Sequence, residues 1–386
     1  METAKRLEGI GEYYFSKKLQ EIQELNKTGM PVINLGIGSP DMPPHPDVIK
    51  VLYEESLKPT THGYQSYKGS EILRKAFSNF YKEWYQVTLD PTTEILPLIG
   101  SKEGIMHICM TYLNEGDKAL IPNPGYPTYS SAVQLAGGSC MYYDLNEQEN
   151  WSINFEEIEK QDLSNVKLMW VNYPQMPTGE RANGGLFKQL VGFGKKHNIL
   201  ICHDNPYSFI LNDHPESLLS IEGALDVSLE LNSLSKSHNM AGWRIGVLAG
   251  NQKRIEEVLR FKSNMDSGMF LPLQLAAAKA LTLPKEWFDE INKVYKKRKE
   301  KAHLLLDMLK CSYSKDQVGL FVWAKIPDTN IDCYELSDEI LYNAKVFITP
   351  GGIFGSAGNR YVRVSLCSPE SNYDLSIDRI QKYHQR

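Results

Sequence analysis

Residues 233–246 read SLSKSHNMAGWRIG. Lys236 stands between two serines just past an apolar run, and Arg244 follows eight residues later among Trp243, Ile245, Val247 and Leu248. A lysine at the edge of a core is partly desolvated, which favours its neutral, nucleophilic form. Two other apolar runs also end in polar groups. NILICHD closes on Asp204, with Tyr207 three residues further, and VKLMWVN opens into NYPQMPTG. In GSKEG, residues 100–104, Ser101 and Lys102 begin a helical pattern whose free amides and dipole suit a phosphate, although an ordinary N-cap reads the same way. PGYPTY sets Tyr126 between prolines as a stiff aromatic, able to stack on a flat ring or to fill a core. Taken singly, each has a plain structural account, an aspartate before Asn-Pro being a common turn residue.

These groups meet only if the runs that carry them are neighbouring strands. KALIPNP, VKLMWVNYP, NILICHDNPY and DVSLELNSL are short apolar runs closed by Asn, Pro or Ser, as strands of a buried sheet are. They alternate with helical patterns such as SEILRKAFSNFYKEWY and SKEGIMHICMTYL. That alternation predicts an α/β domain over residues 46–285, with a largely parallel sheet and ligands at the carboxyl ends of its strands. The charged helix PKEWFDEINKVYKKRKEKAHLLLDML leads into residues 286–386, where QVGLFVWAKIP, KVFITPGG and RYVRVSL predict a small α+β domain. Residues 1–45 are expected to join that small domain, with an amphipathic helix over 5–26.

The chain has 386 residues and a net charge of −5 with mixed signs, which offers no basic field for nucleic acid or anionic membranes. Six cysteines without a CxxC pair and nine scattered histidines predict neither a disulfide framework nor a metal site. No apolar stretch approaches ~20 residues, so the expectation is a soluble, cytoplasmic protein.

An amine for an imine, a carboxylate for a pyridine nitrogen, a stacking ring and a phosphate cradle together are what pyridoxal 5′-phosphate needs. SLSKSHNMAGWRIG resembles the lysine signature of the class I aminotransferases, pyridoxal-phosphate enzymes of fold type I. LGIGSPD, the pattern Y-x-x-x-x-G-x-x-x-L-R from Tyr64 to Arg74, GSKEG, PGYP, PTG, HDNPY and YVRVS resemble that family's motifs, in order, along nearly the whole chain. IGSKEG, PGYPTY, CHDNPYS and SNMDSG resemble the LL-diaminopimelate aminotransferase branch.

The resemblance implies a role for each position. Lys236 would form the imine and move the α-proton, Asp204 would pair with the pyridinium nitrogen, and Tyr207 would donate to the ring's phenolic oxygen. Ser233, Arg244, Ser101 and Lys102 would hold the phosphate, and Tyr126 would stack on the ring. Tyr64 would reach the phosphate of a second subunit, implying a homodimer with shared sites. Arg363, with the backbone of Gly38, would grip the substrate carboxylate. One departure stands out: the family's asparagine before Pro-Thr-Gly is Met176, whose thioether cannot donate a hydrogen bond, so Asn172 or Gln175 must substitute or the donor is lost. The implied activity is ping-pong amino transfer between an L-amino acid and a 2-oxo acid, 2-oxoglutarate and glutamate being one expected pair and an LL-diaminopimelate-like substrate being open to it. A C–S β-lyase and a non-catalytic cofactor-binding regulator are the alternatives.

Overall fold

The computed structural model of the chain describes residues 2–12, 14–27, 29–183, 185–328 and 331–385. Its strands are β1 (Ile33–Asn34), β2 (Ile95–Leu98), β3 (Lys118–Asn123), β4 (Ser139–Asp144), β5 (Val166–Val171), β6 (Leu200–Asp204), β7 (Ser228–Ser233), β8 (Gly246–Gly250), β9 (Phe321–Lys325), β10 (Val346–Phe347), β11 (Thr349–Pro350) and β12 (Tyr361–Ser365). A seven-stranded sheet runs in the order β2-β8-β7-β6-β5-β3-β4. From β7 to β4 neighbours pair in parallel, whereas β8 is antiparallel to both β7 and β2.

The four apolar runs form β3, β5, β6 and β7. β7 begins late because Ala224–Val227 make a helical turn first. Alternate residues of β5 feed opposite faces of the sheet. Leu168 and Trp170 pack with Ile105, Ile108, Tyr129 and Val258, while Met169 and Val171 pack with Leu190, Phe193 and Ile201. Helices therefore cover both faces, and each fully buried Leu, Ile or Met contributes roughly 1.5–3 kcal/mol. β2 and β4 are not visible as strands in the sequence, for physical reasons. β2 is a four-residue edge strand with Pro97 inside it, a residue tolerated only at an edge or bulge. β4, the opposite edge, is mostly uncovered and shows no apolar run.

A second sheet, β11-β12-β9, is antiparallel, and β1 pairs in parallel with β10. The long helix Lys285–Met308 starts after Pro284 and carries Arg298. That guanidinium makes a forked pair with Asp41 at 2.6 and 2.9 Å and donates to Leu366 O at 3.0 Å, joining three distant segments. The helix expected over 5–26 is shorter than its periodicity suggests. A 3₁₀ turn, Lys5–Leu7, precedes the helix Tyr14–Lys27. Gly9 and Gly11 interrupt the pattern, and Gly9 adopts φ +83°, outside the helical region. No described helix is long and apolar enough to cross a membrane.

Candidate active site

The carboxyl ends of β5, β6 and β7 open into a cavity of about 330 Å³. Of the residues singled out in the sequence, Lys236, Asp204, Tyr207, Ser101, Lys102, Tyr126, Ser233, Arg244, Gly38 and Arg363 all line it. Tyr64 does not; it is 95% exposed on a loop after the 3₁₀ turn Pro59–Thr61.

Lys236 lies in the single helical turn Leu234–Ser237 that follows β7, capped by Ser233. Its Nζ donates to Gly38 O at 2.6 Å, and burial pushes its ammonium below the ordinary lysine value, toward a neutral amine. Asp204 ends β6 at 5% exposure. Oδ2 accepts from the Tyr129 hydroxyl at 2.9 Å, and Oδ1 has no hydrogen-bond partner among the described residues. Burial raises its carboxyl to about 6, against the pull of the Tyr129 bond and of Lys236. A buried, half-satisfied carboxylate is costly unless a cation meets it. Tyr129 is itself fixed by stacking on Trp170 at 5.1 Å and 8°. Tyr126 meets Tyr129 edge-on at 5.6 Å and shows its other side to the cavity.

At the far end, the helix Ser101–Tyr112 begins at Gly100, whose φ of +82° only glycine adopts freely. A Cβ there would lie 2.1 Å from Arg244 Nη2, and one at Gly246 would lie 2.8 Å from Ser101 N. Two glycines thus let a guanidinium and a helix N-terminus share one corner. Arg244 Nη1 donates to Ala241 O at 2.9 Å, and Ser233 Oγ lies 2.8 Å from Ser235 Oγ. Helix amides, two hydroxyls and one guanidinium form a site for a dianion.

Arg363, on β12, is 4% exposed. Its Nη2 donates to Gly36 O at 2.9 Å, and its guanidinium lies over Phe321 at 3.7 Å and Phe354 at 4.6 Å. Burial keeps the Tyr207 hydroxyl protonated, well above the usual phenol range, and its ring meets Phe321 edge-on at 6.0 Å. Phe15, Phe321, Phe354 and Tyr129 escaped the sequence reading. Tyr129 lies in the quoted PGYPTY, one helical turn after Tyr126, and that spacing was its one visible signal.

Apart from the cavity, Glu103, His107 and Asp266 place possible metal-ligand atoms within 4.8 Å of one another, a grouping the sequence spacing did not suggest. Lys262 Nζ, 2.5 Å from Asp266 Oδ1, already supplies a positive charge there.

A mixed, mostly parallel sheet with a lysine, a carboxylate and an anion cradle at its strand ends defines the aminotransferase class of fold. The family model for class I and II aminotransferases matches residues 30–380, and the chain belongs to this family; it is a transaminase. An LL-diaminopimelate aminotransferase of Dehalococcoides mccartyi is 38% identical over 385 residues, 99% of each chain. Transaminase BacF of Bacillus subtilis is 40% identical over 370 residues, 95% of this chain and 93% of the relative. The substrate-bound BacF structure matches with a TM-score of 0.94 at 38% identity, covering 99% of this chain and 98% of that one. Both relatives are aminotransferases by name, in line with amino transfer rather than C–S cleavage.

Proposed function

We propose that the cavity binds pyridoxal 5′-phosphate and that the chain transfers amino groups from an L-amino acid with an uncharged side chain to a 2-oxo acid. The observation that carries the cofactor reading is Asp204 Oδ1, buried and without a partner among the described residues, in the same cavity as Lys236 and the Gly100–Arg244 corner. The aldehyde, ring nitrogen and phosphate of that cofactor are the three groups these residues fit. When bound, the cofactor supplies an electrophilic carbon and a ring that accepts the electron pair left at the substrate α-carbon.

The protein's own contributions follow from the geometry. Asp204 meets the ring nitrogen and holds its proton there, aligned by Tyr129. Ser101, Lys102, Ser233 and Arg244 hold the phosphate, and Tyr126 covers the ring. Lys236, whose ammonium burial disfavours, would bind the aldehyde carbon and, once displaced by the donor's amine, would carry the α-proton across the imine nitrogen to that carbon. Arg363 and the backbone at Gly38 orient the substrate carboxylate. Tyr64, fully outward on this chain, serves the site of a second copy in a homodimer.

The substrate class follows from charge. Among the described residues Asp204 is the only carboxylate lining the cavity, and the ring takes it. A donor's distal ammonium therefore meets no acid from this chain, whereas Phe15, Ile37, Phe321 and Phe354 offer an apolar wall. Borohydride reduction with pyridoxal phosphate is expected to attach the cofactor at Lys236. Single-turnover assays should then show L-phenylalanine or L-leucine reacting faster than LL-diaminopimelate. An adduct at another lysine would overturn the cofactor reading; diaminopimelate as the faster donor would overturn the substrate class.

The phosphate corner gives a separate prediction. Gly100→Ala places a methyl against Arg244 and strains φ, so cofactor affinity is expected to fall by roughly 10-fold or more, about 1–2 kcal/mol. Fluorescence titration of the cofactor-free protein measures it; an unchanged dissociation constant would remove the phosphate from that corner.

A further inference from the structure

The wall between Arg363 and Asp204 carries three residues able in principle to reach the ring's phenolic oxygen, and the structure accounts for each. Asn172 gives one amide proton to Asp204 O at 2.5 Å, and its carbonyl oxygen accepts from the Met176 N–H at 2.7 Å. Gln175, also buried, donates to Pro124 O at 2.9 Å, and its oxygen accepts from the Thr178 N–H and hydroxyl. Met176 lines the cavity with a thioether that has no proton to give; its Sδ accepts from Arg363 Nη1 at 3.3 Å. Tyr207, across the same cavity, makes no hydrogen bond to the described residues through its hydroxyl.

Pyridoxal phosphate carries its phenolic oxygen and its phosphate arm on opposite sides of the aldehyde carbon. With the phosphate at the Gly100–Arg244 corner and the aldehyde at Lys236, the phenolic oxygen falls toward Asn172, Met176 and Tyr207. We infer that Met176 is a positioning residue that withholds one donor from this oxygen and leaves it to the Tyr207 hydroxyl, so that the cofactor's link to Lys236 keeps its proton to higher pH than an amide at position 176 would allow. The inference rests on the cofactor reading above.

The chemistry is a competition for one proton. The imine nitrogen shares its proton with the adjacent phenolate, and every donor that reaches the phenolate oxygen draws off part of its charge and loosens that proton. Met176 withholds one such donor. Its sulfur instead accepts from the Arg363 guanidinium, a soft contact on the group proposed to face the substrate carboxylate. The consequence is a link that stays protonated, and a carbon that stays electrophilic, to higher pH than a second donor would allow.

The test reads the pH midpoint of the bound cofactor's visible absorbance, with borohydride trapping at Lys236 as the control for occupancy. Met176→Asn is expected to lower the midpoint by about one pH unit, the effect of one hydrogen bond to a charged group. Met176→Leu, equally unable to donate, is expected to leave it where it is. Tyr207→Phe, in the native Met176 background, is expected to raise it by about one unit or more. A trapped adduct with an unmoved or raised midpoint in Met176→Asn overturns this inference alone, as does an equal fall in Met176→Leu or an unmoved midpoint in Tyr207→Phe. Absence of any adduct at Lys236 in the unsubstituted protein overturns the cofactor reading and this inference with it.

Discussion

Exchanging Lys236 for alanine is expected to slow amino transfer by roughly 10⁴-fold or more, the upper range for loss of a positioned acid–base group. Lys236 lines the cavity with its Nζ 2.6 Å from Gly38 O, and under the proposed function the cofactor's anchor and the proton carrier are this one atom. Arginine cannot replace it, because a guanidinium stays charged at any working pH. The cofactor should still bind, since the phosphate corner and Asp204 do not depend on Lys236. Stopped-flow single turnover with a saturating amino donor separates the two effects. Near-normal affinity with a collapsed rate is the expected pattern, and a small primary amine added to the buffer should restore part of the rate by entering the space the side chain leaves. A Lys236→Ala protein that turns over within ten-fold of the original would end the proposal that this lysine moves the α-proton.

The sequence shows Lys236, Asp204 and Ser233 because a buried parallel sheet forces its functional groups to strand ends, and strand ends are marked by Asn, Pro and Ser. Gly100 and Gly246 are visible as letters, but their purpose is not. Only coordinates show that a Cβ at either would strike Arg244 or the helix amide. Arg363 reads as an ordinary charge on a strand until β12 is found at the centre of a three-stranded sheet, with Phe321 on the neighbouring β9 under its guanidinium. Phe15 is more remote still, reaching the cavity from a helix far away in sequence and carrying no local signal. The substitution at Met176 was legible, but its consequence was not. Whether Asn172 or Gln175 compensates depends on bonds to Asp204 O and Pro124 O, partners 32 and 51 residues away. Periodicity reports faces and ends; it does not report which long-range acceptor an amide has found.

Asp204→Asn is expected to move activity and stability in opposite directions. Asparagine keeps an oxygen for the Tyr129 hydroxyl, now 2.9 Å from Oδ2, but brings no charge to hold a proton on the ring nitrogen. Losing one preorganised charged partner of the reacting system costs roughly 10²–10³-fold in rate. In the cofactor-free protein the balance reverses. Burial raises the Asp204 carboxyl from 3.8 to about 6, so the folded state favours the protonated acid. Below about pH 4 the acid is protonated whether the chain is folded or not, and its burial is at its cheapest. As pH rises from 4 through 6 the unfolded chain ionises first, and stability falls by up to roughly 3 kcal/mol, at about 1.4 kcal/mol per unit. Asparagine mimics the protonated acid and does not titrate. Cofactor-free Asp204→Asn should therefore be the more stable protein at pH 8, with the gap closing toward pH 4. Denaturant unfolding of both proteins at the two pH values measures this. Adding cofactor should reverse the order at pH 8, because the pyridinium meets Oδ1 in the original and finds no anion in the variant. A variant no more stable than the original at pH 8 would mean that Oδ1 is already satisfied. The carboxylate would then not be held at the end of β6 waiting for a cation.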